Sequence, residues 1–288
     1  MARVAVIGAG AIGGTIAAWL AQSHDVTLCA RSPLDDLAVE TPEGLIRATP
    51  LVLTDPAAAQ PVDWVLAATK TYDAAGAAAW LPGLMAPTTR LAVLQNGVEH
   101  RARFRGLVPD AHVLPAIVDI PAERHAPGRI LQRRNGTILV PEGVAGEGFA
   151  ALFVDTPIAV STTADFTTAA WRKLAINCAG IVNALTLRTA EVARDEAVAD
   201  VIRALVLECC AVGRAEGADM PDSVADAVVA QNRAADGASM NSLHADRVAG
   251  RPMELDARNG VIVRLGEHHG IATPMNRALA ALLAAAAG

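Results

Sequence analysis

The stretch that decides the fold is RVAVIGAGAIGGTIAAWLAQSHDVTLC, residues 3–29. Residues 3–7 are a short β-rich run, Gly8-Ala9-Gly10-Ala11-Ile12-Gly13 follows, a helical stretch extends to Gln22, and a second β-rich run covers 25–29. A GxGxxG pattern alone is a weak signal. Set between a strand and a helix inside a βαβ unit, it becomes a dinucleotide-binding fingerprint. Gly8 permits the tight turn, Gly10 lets the backbone approach a pyrophosphate, and Gly13 lets helix and strand pack closely. Ala9, Ala11 and Ile12 complete the loop, and the N–H groups and dipole at the helix start hold the phosphates. Arg3 ahead of an apolar stretch also imitates a secretory signal, but the glycine-patterned turn accounts for the same residues better.

Working outward, further strands are predicted at 64–67, 90–94 and 112–117, separated by alanine-rich helical segments such as 72–80. This alternation predicts a parallel sheet. Residues 128–133 and 137–140 read as two strands joined by a tight hairpin at Asn135-Gly136, which would close the sheet with an antiparallel edge. From about residue 165 onward only helical periodicity remains, including 195–216, 255–269 and 277–287. The expected fold class is therefore an α/β Rossmann-type N-terminal domain with a mostly parallel sheet, residues 1–162, followed by an all-α C-terminal domain, residues 163–288. Ser161-Thr162-Thr163-Ala164-Asp165 marks the boundary, because it offers caps for the first helix.

Composition narrows the function. The chain is 52% hydrophobic with 62 alanines and only 3% aromatics, which suits tightly packed helices. No apolar run reaches the roughly 18 residues a membrane span needs. The net charge of −6 argues against a nucleic-acid surface. Four cysteines without CxxC spacing read as reduced, and neither they nor the seven histidines form a metal motif. The expectation is a cytoplasmic protein with a small-molecule partner, no metal, no nucleic acid and no membrane.

After the second strand, where NAD-preferring folds place an acid for the ribose 2′-OH, the chain has Ala30-Arg31-Ser32. A guanidinium pairs with a 2′-phosphate through parallel charge-assisted bonds, so NADP(H) is the expected cofactor. Of 24 basic residues only Lys70 and Lys173 are lysine. A retained lysine points to work an arginine cannot do, since an ammonium can give up its proton near neutral pH and a guanidinium cannot. Lys70 falls at the carboxyl edge of the strand at 64–67, where ligands bind in open α/β sheets. Contact with a cofactor phosphate and a plain surface role suit that position equally.

Gly8 to Gly13, Ala68-Thr69-Lys70, Gln95-Asn96-Gly97, the segment WRKLAINC at 171–178, and Ser242 through GRPMELDARNG at 250–260 together resemble the ketopantoate reductase family, over nearly the whole chain. The resemblance implies that Lys173 is the catalytic acid, that Asn177 helps hold substrate, and that Ser242 and Glu254 complete the substrate site. It places Asn96 beside the nicotinamide and the substrate. Where family members carry a second asparagine, eight residues after the lysine, this chain has Ile181; Asn183 is the nearest substitute.

The residues agree with these roles. Lys173 and Asn177, four apart, share one helix face. Hydride addition to a 2-oxo acid builds negative charge on the carbonyl oxygen, which an ammonium stabilises and protonates. Glu254 orients that ammonium and offsets its burial. The expected activity is NADPH-dependent reduction of a 2-oxo acid, with ketopantoate giving D-pantoate as the leading pair. Another branched oxo acid or an imine is the alternative within enzymes, and a non-catalytic NADP(H)-binding sensor the alternative outside them. The alanine-rich helices offer surfaces for a homodimer.

Overall fold

Val4, Ala5, Val6 and Ile7 carry no polar side chain to leave in water. In the computed structural model, which describes residues 1–287, they form the buried body of β1 (Arg3–Ile7). Gly288, the last residue of the expected second domain, lies outside the described residues. After β1 come α1 (Ala11–Leu20), β2 (Asp25–Cys29), β3 (Leu37–Thr41), β4 (Gly44–Ala48), β5 (Leu51–Leu53) and β6 (Trp64–Ala67). Two short helices, α2 (Ala74–Ala78) and α3 (Leu81–Leu84), lead to β7 (Arg90–Val93), β8 (Val113–Pro115) and β9 (Ile117–Asp119). The first of two compact units closes with β10 (Ala122–Ala126), β11 (Arg129–Gln132), β12 (Thr137–Pro141), α4 (Val144–Ala151) and β13 (Ala159–Thr163), and ends at Ala164.

Its main sheet has the order β5-β2-β1-β6-β7-β8, and every pair in it is parallel. Strands covered on both faces read as continuous apolar runs, as Val4–Ile7 and Trp64–Ala67 do. The chain leaves β1 for β2 on one side and later returns to β6 on the other, so β1 is the switch point of the sheet. Loops 8–10, 30–32, 68–70 and 94–97 therefore all leave its carboxyl edge.

The expected hairpin at Asn135-Gly136 is not formed, and this corrects the antiparallel edge as well. β11 pairs antiparallel with β10 and parallel with β3, while β12 pairs with β9 and β13 in a different sheet. A two-residue type I′ turn needs positive φ at both residues, and neither Asn135 nor Gly136 has it. Gly136 is small for another reason: a Cβ there would lie 2.3 Å from Ile120 Cγ1. The actual hairpin turn is at Gly128, with φ +70°. The predicted strand at 112–117 is likewise two strands, because β8 ends the main sheet and β9 starts the other. The helix predicted over 72–80 shortens to a 3₁₀ turn followed by α2.

The second unit begins at Asp165 and, among the described residues, is built from helices alone. These are α5 (Phe166–Ala179), α6 (Ile181–Thr186), α7 (Glu196–Ala215), α8 (Ser223–Ala234), α9 (Ser242–Val248), a π-helical turn (Asp256–Gly260), α10 (Val261–His269) and α11 (Pro274–Ala287). The spine is α7, whose buried Ala199, Ile202, Leu205, Val206 and Cys209 recur at helical spacing and pack on α5 and α8. Asp195, expected as its first residue, is instead its cap, accepting bonds from the Ala197 and Val198 N–H groups. The helix expected over 255–269 is interrupted by the π-helical turn. That wide turn admits Asn259 to a buried network: its amide donates to Cys178 O at 3.1 Å and Asn276 Oδ1 at 2.9 Å, and Asn276 donates to Glu208 Oε2 at 2.8 Å. No helix among the described residues is long and apolar enough to cross a membrane.

Candidate active site

In the first unit each glycine of the β1–α1 loop can be assigned a cause. Gly8 has φ +108°, and a Cβ there would meet Thr69 N at 3.0 Å; a Cβ on Gly13 would sit 2.0 Å from the Gly8 carbonyl oxygen. Both are therefore glycine for the protein's own packing. Gly10 is different. Its φ of −79° suits any residue, and a Cβ would meet nothing within 4 Å. Space kept clear at the start of a helix that has no side-chain cap and no acid in its first turn fits a diphosphate approaching the backbone. The residues present thus fit a dinucleotide, and Ala9, Ala11 and Ile12 complete the loop between the glycines.

Around this loop, Arg31 is exposed just beyond the carboxyl end of β2, and the neighbouring Ala30 N–H is pinned to Leu53 O at 2.9 Å. Lys70 is half-buried and opens a 3₁₀ turn at the end of β6. The buried Gln95 amide donates to Thr69 Oγ1 at 2.9 Å and Lys70 O at 3.3 Å, tying the 68–70 loop to the one that carries half-buried Asn96. Gly97, at φ +97°, turns the chain away after Asn96. Arg124, which the sequence reading passed over, donates from β10 to the Ala9 carbonyl at 3.5 Å and so brings a guanidinium to the glycine loop. Nothing local in the sequence pairs residue 124 with residue 9.

In the second unit, Asp165 caps α5 by accepting the Thr168 N–H at 3.0 Å. Trp171, Leu174, Ala175 and Cys178 face the core, leaving Lys173 and Asn177 half-buried and one turn apart. Ser242 is exposed as the first residue of α9, which Asn241 caps by accepting the His244 N–H at 3.0 Å. Glu254 is buried, 4% exposed, just before the π-helical turn.

Arg258, inside that turn, joins Ser242 to Asn177. Its Nη2 donates to Ser242 Oγ at 2.6 Å and its Nη1 to the Asn177 carbonyl at 3.4 Å. Burial pulls this guanidinium below its ordinary pKa, while the negative charges of Glu254 and Asp246 and the Cys178 thiol act in the opposite direction. No local sequence signal marks Arg258, because the burial of a charged residue is a tertiary fact.

Asn183 requires a correction. It is only 6% exposed, and its amide donates to the Arg188 and Thr189 carbonyls at 3.0 and 2.9 Å while its oxygen accepts from Asn241 at 3.2 Å. The side chain closes the end of α6 and has no donor left for a ligand. Ile181 is fully buried and packs as an ordinary core residue.

Residues 4–144 match the family described as ketopantoate reductase PanE/ApbA, and residues 165–287 match its C-terminal family. A 2-dehydropantoate 2-reductase of Caulobacter vibrioides is 62% identical, with 100% of each chain covered. Among solved structures, a PanE/ApbA family ketopantoate reductase from Ralstonia eutropha JMP134 superposes with TM-score 0.90 at 34% identity, covering 99% of this chain and 98% of that one. A dimeric ketopantoate reductase from Staphylococcus aureus gives TM-score 0.88 at 25% identity, covering 99% and 100%. With the glycine loop, the Lys173–Asn177 pair and both family matches in place over nearly its whole length, the chain belongs to the ketopantoate reductase family.

Proposed function

We propose that the chain reduces 2-dehydropantoate, also called ketopantoate, to D-pantoate with NADPH. The observation that carries this reading is the pairing of Lys173 and Asn177 on one face of α5, with Asn177 joined through Arg258 to Ser242, in a chain 62% identical to a 2-dehydropantoate 2-reductase. The reduced nicotinamide, when bound, supplies the hydride that goes to C2 of the oxo acid. Lys173 Nζ then gives its proton to the carbonyl oxygen, where negative charge develops, so the alcohol leaves neutral at that atom. Glu254 holds the ammonium by its negative charge. Asn177 and Ser242 bind the substrate carboxylate and its distal hydroxyl, and Asn96 serves the nicotinamide end of the cofactor and the substrate.

In the cofactor half, Gly8 to Gly13 hold the diphosphate, Arg31 holds the 2′-phosphate, and Lys70 contacts a cofactor phosphate. NADPH is expected to bind at least about tenfold tighter than NADH, a difference near 1.4 kcal/mol. Arg31→Ala should remove most of that preference in a fluorescence titration while leaving NADH affinity unchanged; equal affinities in the unmutated protein would discard Arg31 as the selector.

The direct test of the reaction is NADPH oxidation against a panel of 2-oxo acids, with ketopantoate expected to be the fastest substrate. No oxidation with any of them would instead favour the cofactor-binding sensor. A homodimer is supported by the dimeric Staphylococcus aureus relative and by exposed Leu187, Met240, Val248 and Leu282 in the helical unit. A cytoplasmic setting is supported by four unpaired buried cysteines, with burial pushing the Cys29 thiol up to about 12.

A further inference from the structure

We infer that Arg258 is a positioning residue of the substrate site, acting by fixing Ser242 as a hydrogen-bond donor toward the substrate. This rests on the reading above that Ser242 binds the oxo acid. Arg258 is 2% exposed, and its Nε is buried without a hydrogen-bond partner among the described residues. Burying a guanidinium is costly, and leaving one of its donors unpaired adds to the cost. An apolar side chain of similar length would suit a purely structural position better, so the charge has a task beyond filling space.

That task follows from hydrogen-bond stoichiometry. A serine hydroxyl has one hydrogen and two lone pairs, and a guanidinium is a donor only. With Arg258 Nη2 donating into Ser242 Oγ at 2.6 Å, a lone pair is taken and the hydroxyl hydrogen must find an acceptor elsewhere. Ser242 is exposed at the start of α9, so that acceptor comes from what binds there: a carboxylate oxygen or the oxygen of a distal hydroxyl. Nη1 on the Asn177 carbonyl holds the same guanidinium to α5. The charges of Glu254 and Asp246 oppose the effect of its burial. Without Arg258 the hydroxyl rotates and presents its lone pairs as readily as its hydrogen, and the site loses its bias toward substrate acceptors.

A double-mutant cycle on kcat/KM for ketopantoate tests this, using the full-length enzyme with Arg258→Met, Ser242→Ala and the combination. Each single change is expected to cost about tenfold or more, mainly through KM. The double variant should be no worse than the weaker single, a coupling of about tenfold. NADPH affinity should stay within about twofold, since neither residue is among those proposed to hold the cofactor. Costs that multiply in the double variant, or an unchanged KM in Arg258→Met, overturn the inference. Should Arg258→Met fail to fold, the same cycle with Arg258→Lys decides it: the lysine keeps the charge and one donor, so its cost must be smaller and must vanish in the Ser242→Ala background. An unmutated enzyme inert toward ketopantoate defeats the functional reading; an active one with a multiplicative cycle defeats this inference alone.

Discussion

Lys173→Arg is expected to lower kcat for ketopantoate by about a thousandfold, near 4 kcal/mol of lost transition-state stabilisation. The positive charge survives this change, but the transferable proton does not, because a guanidinium holds its protons through the whole accessible pH range. Its planar fork also cannot place one donor at the point where the ammonium sat. NADPH affinity should be unaffected, and kcat/KM should fall in parallel with kcat, as for an interaction made only in the transition state. Steady-state kinetics with single-turnover controls reads all of this. A fully active Lys173→Arg enzyme would mean that charge alone suffices and that water supplies the proton.

Gly10→Val should weaken NADPH binding by about a hundredfold, near 2.7 kcal/mol, while leaving the melting curve almost where it was. No protein atom lies within 4 Å of where its Cβ would stand, and its φ of −79° strains no side chain. The added side chain therefore projects into the space proposed for the diphosphate. Gly13→Ala is the contrasting control: its Cβ would meet the Gly8 carbonyl oxygen at 2.0 Å, so the whole β1–α1 junction must shift and thermal stability falls along with binding. Normal NADPH titration of Gly10→Val would remove the glycine loop from the account of cofactor binding.

The contrast between these glycines also explains what the sequence could and could not convey. The β1–α1–β2 unit was legible because its determinants are local: an apolar run, three spaced glycines, a helix and a second apolar run, with β2 and β6 ending where predicted. The side sheet of β3, β4, β10 and β11 was not, since the parallel pairing of β11 with β3 joins residues some 90 positions apart and leaves no local periodicity. Asn135-Gly136 misled because a glycine kept small for Ile120 looks in sequence like a glycine kept flexible for a turn. Lys173, Asn177, Ser242 and Glu254 were named from motif segments. Asn183 was misassigned because sequence does not reveal that backbone carbonyls at 188 and 189 already take its amide hydrogens. Arg258 was passed over because burial of a charged residue is a tertiary fact.

The central claim is a site that reads ketopantoate through its carbonyl and its distal hydroxyl. The measurement that tests it most directly is kcat/KM for ketopantoate against its deoxy analogue, 2-oxo-3,3-dimethylbutanoate, with NADPH held saturating. A site that hydrogen-bonds a hydroxyl leaves polar groups covered by the bound substrate unpaired when that hydroxyl is missing, which costs more than a missing methylene. The account predicts at least about a hundredfold preference for ketopantoate, reduced in Ser242→Ala through a lower kcat/KM for ketopantoate. Equal rates for the two acids in the unmutated enzyme would contradict it and would point to a reductase of another oxo compound on the same scaffold.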